Sequence, residues 1–199
     1  MRNSVLTLLR THRREAHMEP VEINAGTCYL RALRADGRID DRPAVLAAAL
    51  DPEINRWRRG PEPTLDAAGE LVTERAAAWA AGRACSWAVC EPTTGEMLGE
   101  VVLADLDPVT GTADLTWWAL PAGRDRGMIT AAVSAALRFG FGGLGLYRVG
   151  HAWAEGDAAA ARVAGNCGFM VEGRQRSAWV VDGRRVDVVI AGRLASDGD

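Results

Sequence analysis

Residues 112–129 read Thr-Ala-Asp-Leu-Thr-Trp-Trp-Ala-Leu-Pro-Ala-Gly-Arg-Asp-Arg-Gly-Met-Ile, and this stretch decides the fold. Leu115, Trp117, Trp118 and Leu120 make an apolar strand pattern that stops at Pro121. A short loop carries Arg124 and Arg126 to Gly127, and an Ala-rich helical run follows at once. A strand feeding a glycine at a helix start makes an anion site. The first N–H groups of the helix lack partners there, and its dipole favours negative charge. Two arginines beside it point to a phosphate-bearing ligand.

Upstream, Thr27–Leu33 predicts a first strand. Asp41 predicts the N-cap of a helix with Pro43 in its first turn, running to Leu50 and stopped by Asp51-Pro52. Thr64 caps a second helix that ends at Gly82. Strands follow at Ser86–Glu91, Met97–Leu106 and Thr112–Leu120. Downstream, the helix after Gly127 keeps an apolar face at Val133, Ala136, Leu137 and Phe141. A strand at Tyr147–Trp153, a helix at Asp157–Asn166, and a hairpin turning at Asp182-Gly183 complete the pattern. Residues 1–26 read as a flexible extension with a small amphipathic patch at Val5–Leu9, residues 27–194 as one domain, and 195–199 as a frayed tail.

A chain of 199 residues with 48% apolar and 25% charged residues has the composition of one ordinary globular domain. Its formal net charge of −3 gives no basic face for a nucleic-acid backbone. No stretch is long and apolar enough to span a bilayer or serve as a signal segment, so the expectation is a cytoplasmic protein without a membrane partner. The chain has no lysine, which removes that residue as a base. Cys28, Cys85, Cys90 and Cys167 form no Cys-x-x-Cys pair and have no His cluster beside them, so no metal site is expected. Gly140-Phe-Gly-Gly-Leu-Gly145 matches Gly-x-Gly-x-x-Gly, but it closes a helix where a dinucleotide site must open one.

Several short signals then arrive in order: Leu30-Arg31, Gly99-Glu100, Trp117-Trp118-Ala119-Leu120-Pro121, Arg124–Gly127, Tyr147-Arg148-Val149, Arg162-Val163, Gly168-Phe169 and Glu172-Gly173. Asp182-Gly183-Arg184 with the later Asp187 closes the set. From Tyr29 to Leu194 the chain resembles the GNAT superfamily of acyl-CoA-dependent N-acetyltransferases, most of all the RimJ/RimL-like ribosomal-protein enzymes. The resemblance implies an α/β fold. Its mixed, mostly antiparallel sheet is splayed at the CoA site and flanked by about four helices. It implies acetyl-CoA as donor, with pantetheine lying between Thr112–Leu120 and Tyr147–Trp153 and held by the backbone of Trp118, Ala119 and Leu120. The pyrophosphate falls to the N–H groups of Arg126, Gly127, Met128, Ile129 and Thr130, with Arg124 and Arg162 as accompanying cations. Dimers are common among such proteins, so a homodimer is expected by analogy.

The resemblance also marks departures. Asp125 stands where a glycine is usual and puts a carboxylate near two phosphates. Asp157 and Ala160 stand where Asn-x-x-Ser is common, so the serine that would protonate the leaving thiolate is missing. Trp179 occupies a hairpin position where some relatives carry a glutamate base. Glu100, on a central strand facing the substrate cleft, and Asp157, at a helix start, are left as candidate proton-handling residues, with Glu155 a weaker candidate. At pH 7 about a tenth of a peptide α-amine is neutral, against less than about a thousandth of a lysine amine. A site without a strong base therefore favours acetyl transfer to a protein or peptide N-terminus. A small antibiotic or metabolite amine is the second expectation, and a catalytically weak CoA-binding or partner-binding module the third.

Overall fold

The computed structural model describes residues 18–57 and 62–198. The patch at Val5–Leu9, the loop residues 58–61 and the side chain of Trp57 lie outside the described residues. The elements run β1 (Ile23–Asn24), β2 (Tyr29–Arg31), α1 (Arg42–Leu50), α2 (Pro52–Trp57), α3 (Leu65–Ala80), β3 (Cys85–Cys90), β4 (Met97–Asp107) and β5 (Thr112–Ala119). Then follow α4 (Met128–Arg138), β6 (Arg148–Ala154), α5 (Ala158–Asn166), β7 (Met170–Val181) and β8 (Arg184–Leu194). All eight strands form one sheet in the order β1-β2-β3-β4-β5-β6-β8-β7. Every neighbouring pair is antiparallel except β5–β6.

Helices cover the sheet on both faces, and the alternation of β3 shows how. Trp87 and Val89 join a cluster with Val101, Leu115, Val133 and Leu137 under α4. Ala88 and Cys90 join Val45, Ala68, Val72 and Trp118 under α1 and α3. A strand buried on both faces reads as a continuous apolar run, which Cys85–Cys90 is. Both positions of the β7–β8 turn take positive φ, 49° at Asp182 and 75° at Gly183, as a two-residue hairpin turn requires. The glycine-rich run forms a π turn at Phe139–Gly143 that ends α4, in line with its rejection as a dinucleotide motif.

Four expectations are corrected. Asp51-Pro52 does not merely stop a helix; it starts α2, because the Asp51 carboxylate accepts from the N–H groups of Glu53 and Ile54 and proline fits the first helical position. This makes five helices among the described residues. Asp41 occupies the N-cap of α1 without a side-chain cap bond. Its carboxylate instead takes the Arg31 guanidinium at 2.7 and 2.8 Å and the Arg34 N–H at 2.7 Å, since charge-assisted pairs are the stronger bonds. Residues 18–26, counted with the extension, belong to the domain: Ile23 pairs with Leu30, and the Trp87 indole donates to the Val21 carbonyl at 2.7 Å. Tyr147, read as the first residue of a strand, lies one residue ahead of β6 and is 60% exposed.

Candidate active site

The parallel pair at the centre of the sheet is short. Thr112, Ala113 and Asp114 pair with Arg148, Val149 and Gly150, and the register ends there. β5 continues to Ala119 and β6 to Ala154 with no ladder between them, so the sheet opens into a slot. Backbone groups alternate sides along a strand. The Leu120 N–H reaches back to the Leu98 carbonyl on the β4 side at 2.8 Å, while the Leu115 carbonyl points into the slot. By alternation Trp117 and Ala119 face the slot, and Trp118 and Leu120 face β4. Of the three residues expected to offer backbone to pantetheine, Ala119 turns its backbone to the slot, as Trp117 does, while Trp118 and Leu120 turn theirs to β4. The Ala119 carbonyl already accepts from Arg124 Nε at 3.1 Å, which leaves its N–H.

The slot leads to the start of α4. Asp125 and Gly127 both take left-handed backbone, φ 54° and 70°, and this double turn aims the chain into the helix. The first helical bond runs from the Ala131 N–H to the Gly127 carbonyl, so the N–H groups of Met128, Ile129 and Thr130 have no acceptor within the helix. Met128 and Ile129 turn their side chains into the core, and Arg126 and Gly127 stay exposed. Of the five residues read as a pyrophosphate site, Met128, Ile129 and Thr130 are the ones whose N–H groups the helix leaves without an acceptor.

The arginines divide differently from expectation. Arg124 pairs with Asp51 at 2.8 Å and Glu53 at 2.6 Å, besides its bond to Ala119. Its guanidinium ties the α1–α2 junction to the end of β5 and is committed away from the helix start. Asp125 is faced by Arg162 of α5, 3.8 Å away, rather than by Arg124. Arg162 is thus brought from a distant segment to the loop that opens α4. The Arg126 side chain lies exposed along the loop, 3.3 Å from the Ala122 carbonyl.

Both candidate proton-handling residues have other partners. Glu100 is fully buried, with Arg75 Nε 2.8 Å from one carboxylate oxygen and the Trp118 indole N–H 2.7 Å from the other. It does not open to the cleft, because α3 lays Arg75 over it. Asp157 caps α5 by accepting from the Ala160 N–H at 2.9 Å. Glu155, a weaker candidate, pairs with Arg174 at 2.8 Å. Next to it opens a cleft of about 480 Å³ lined by Arg56, Glu155, Gly156, Val181, Asp182, Arg184 and Val186, and bridged by Arg56–Asp182 at 3.2 Å.

One residue escaped the sequence reading. His151 stands just past the last β5–β6 pair, and its Nδ1 lies 2.8 Å from the Leu115 carbonyl across the slot. Trp117 stacks on its ring at 4.0 Å and Trp153 at 5.4 Å, with Phe169 edge-on at 5.8 Å. Burial pushes its pKa down to about 4, against smaller raising effects from the Leu115 bond and Asp157. The sequence did hold a signal: Val149, His151 and Trp153 share one strand face, and a histidine there interrupts an apolar row.

Comparison with known proteins agrees with this geometry. The acetyltransferase (GNAT) domain family matches residues 29–170. YdaF of Bacillus subtilis, named as a ribosomal N-acetyltransferase, is 32% identical over 95 residues, which is 48% of this chain and 52% of that protein. The match thus spans about half the length of that curated relative. RimL, the ribosomal L7/L12 alpha-N-protein acetyltransferase, solved with coenzyme A, superposes with a TM-score of 0.78 at 19% identity, covering 89% of this chain and 100% of that one. Spermidine N-acetyltransferase from Vibrio cholerae, solved with CoA and spermine, gives 0.75 at 20% identity, covering 86% and 97%. The family match runs from the start of β2 to the start of β7, across both strands of the opened pair and the helix start beside them. The chain therefore belongs to the GNAT acetyltransferase family.

Proposed function

We propose that this protein acetylates the α-amine of a protein or peptide N-terminus, with acetyl-CoA as donor, in the cytoplasm. The observation that carries this reading is that the acidic side chains considered for proton transfer already have partners. Glu100 is buried under Arg75 and Trp118, Asp157 caps a helix, and Glu155 pairs with Arg174. A site of this kind suits an amine that is already partly neutral. A terminal α-amine, with a pKa of about 8, meets that need at neutral pH, and a lysine amine near 10.4 does not. The names of YdaF and RimL point the same way.

The residues fit the donor. Acetyl-CoA supplies the acetyl group as a thioester. The N–H groups of Met128, Ile129 and Thr130 would hold its pyrophosphate, and the slot-facing backbone of Trp117 and Ala119 its pantetheine. With Ala160 where a serine is common, no side-chain hydroxyl stands at that position to protonate the departing sulfur. A thiol near pKa 8.5 can leave as thiolate and take its proton from water, while the attacking nitrogen gives up its own to solvent.

The test uses purified protein, acetyl-CoA and three acceptor sets: peptides with free N-termini, N-blocked peptides containing lysine, and spermidine. Turnover on free N-termini is expected, rising with pH toward about 8 as the amine loses its proton. Acetylation of lysine or spermidine with free N-termini untouched would sink the proposal. A second prediction concerns Asp125, which is 89% exposed beside the helix start. Asp125→Asn keeps a residue that tolerates left-handed backbone and removes the negative charge. It is expected to tighten CoA binding about two- to fivefold in low salt, as read by calorimetry.

A further inference from the structure

We propose that Nε2 of His151 is a hydrogen-bond acceptor built into the slot for an amide N–H of the pantetheine arm of CoA. This rests on the donor reading given above and adds a side chain to it. The Leu115 carbonyl can only accept, so Nδ1 must donate across the 2.8 Å contact. A neutral imidazole has one N–H, and Nε2 is then left with a lone pair. That atom is buried and has no partner among the described residues. His151 itself is 9% exposed. A buried acceptor without a donor is costly, so its donor is to be sought outside the chain, in a ligand or an ordered water.

Position points to the ligand. His151 is the first residue of β6 beyond the β5 ladder, so its ring sits where the two strands begin to separate. From Leu115 the open edge of β5 runs through Trp117 to Ala119, roughly 13 Å of strand leading toward the start of α4. An extended arm with secondary amides matches such an edge. The surroundings decide between donors. Trp117, Trp153 and Phe169 surround the ring, and its one hydrogen bond among the described residues goes to the Leu115 carbonyl. The Asp157 carboxylate, which acts on it only at range, is turned to the Ala160 N–H. An apolar wall with one neutral acceptor suits an uncharged amide and would penalise an ammonium. Burial that keeps the imidazole neutral at working pH keeps this lone pair available.

His151→Asn tests the assignment, because its side-chain amide can still donate toward Leu115 while the acceptor at the Nε2 position is lost. Calorimetry with CoA and with adenosine 3′,5′-bisphosphate, which lacks the pantetheine arm, reads the effect. CoA affinity is expected to fall about tenfold, with the bisphosphate unchanged. In parallel, the ¹⁵N resonance of Nε2 in the unaltered protein is expected to move toward a hydrogen-bonded position on adding CoA, so the idea stays testable if the variant folds poorly. Unchanged CoA affinity, an equal loss for both ligands, or an unmoved Nε2 resonance overturns the assignment and leaves the donor reading standing. Failure of the unaltered protein to bind CoA overturns both.

Discussion

Glu100→Ala is expected to lower the unfolding free energy by about 1–3 kcal/mol, because it takes the buried counter-ion from the part-buried Arg75 guanidinium and leaves it only the exposed Glu74 at 3.2 Å. The Arg75 side chain is 16% exposed, and Glu100 is its buried counter-ion at 2.8 Å. Burial by itself would lower the Arg75 pKa; the charge and hydrogen bond of Glu100 reverse that and raise it. The Trp118 indole N–H would lose its acceptor in the same step. Glu100→Gln keeps an oxygen for one of the two donors and removes the charge, so a smaller loss is expected. Denaturant titration of both variants checks this. The measurement also separates two roles for Glu100. If it held Arg75 and Trp118 in place, stability would fall in the order wild type, Gln, Ala. If it took a proton from the substrate, Gln would remove turnover at nearly full stability.

Stability is expected to fall by about 3 kcal/mol as pH drops from 6.5 to 4, through His151 alone. Its pKa is lowered from 6.5 to about 4 in the folded protein. Between those values the unfolded chain binds a proton that the native state refuses, so acid favours unfolding. Above 6.5 neither state is protonated there, and below 4 both are. At 1.36 kcal/mol for each pH unit the interval amounts to about 3 kcal/mol. Carboxylates such as Asp36, held down to about 2 by bonds from the Arg38 N–H and Arg34, add their own acid dependence. The informative quantity is therefore the difference between wild type and His151→Phe, which keeps the ring stack and cannot titrate. The pH slope of that variant is expected to be shallower across this window; equal slopes would mean His151 does not carry the effect.

Much of the architecture was legible because it is local. Thr64 caps α3 by accepting from the Ala67 N–H, Asp182-Gly183 turns a hairpin, and Gly127 opens α4 with positive φ. Each follows from residues close together in the chain. The start of α4 was legible for the same reason, since free N–H groups at a helix start need no distant partner. At the site, what the sequence left open is long-range. Arg124 looked like a phosphate ligand until Asp51 and Glu53 were placed against it. Glu100 looked open to a cleft until α3 brought Arg75 over it. Trp118 and Leu120 looked like pantetheine contacts until the register with β4 set which backbone groups faced the slot.

Sequence alone thus determined the order of the longer elements, though not β1 or α2, together with the helix start with its unpaired amides and the family resemblance, because these depend on neighbours within a few residues. Only the tertiary structure decided which charges are already paired, where β5 and β6 part, and that His151 bridges the parting with one nitrogen unpaired among the described residues. The physical reason is that an ionisable side chain takes its character from the partners and burial around it. Those partners come from distant segments, as with Asp51 and Arg124, 73 residues apart, which only the folded chain brings into contact.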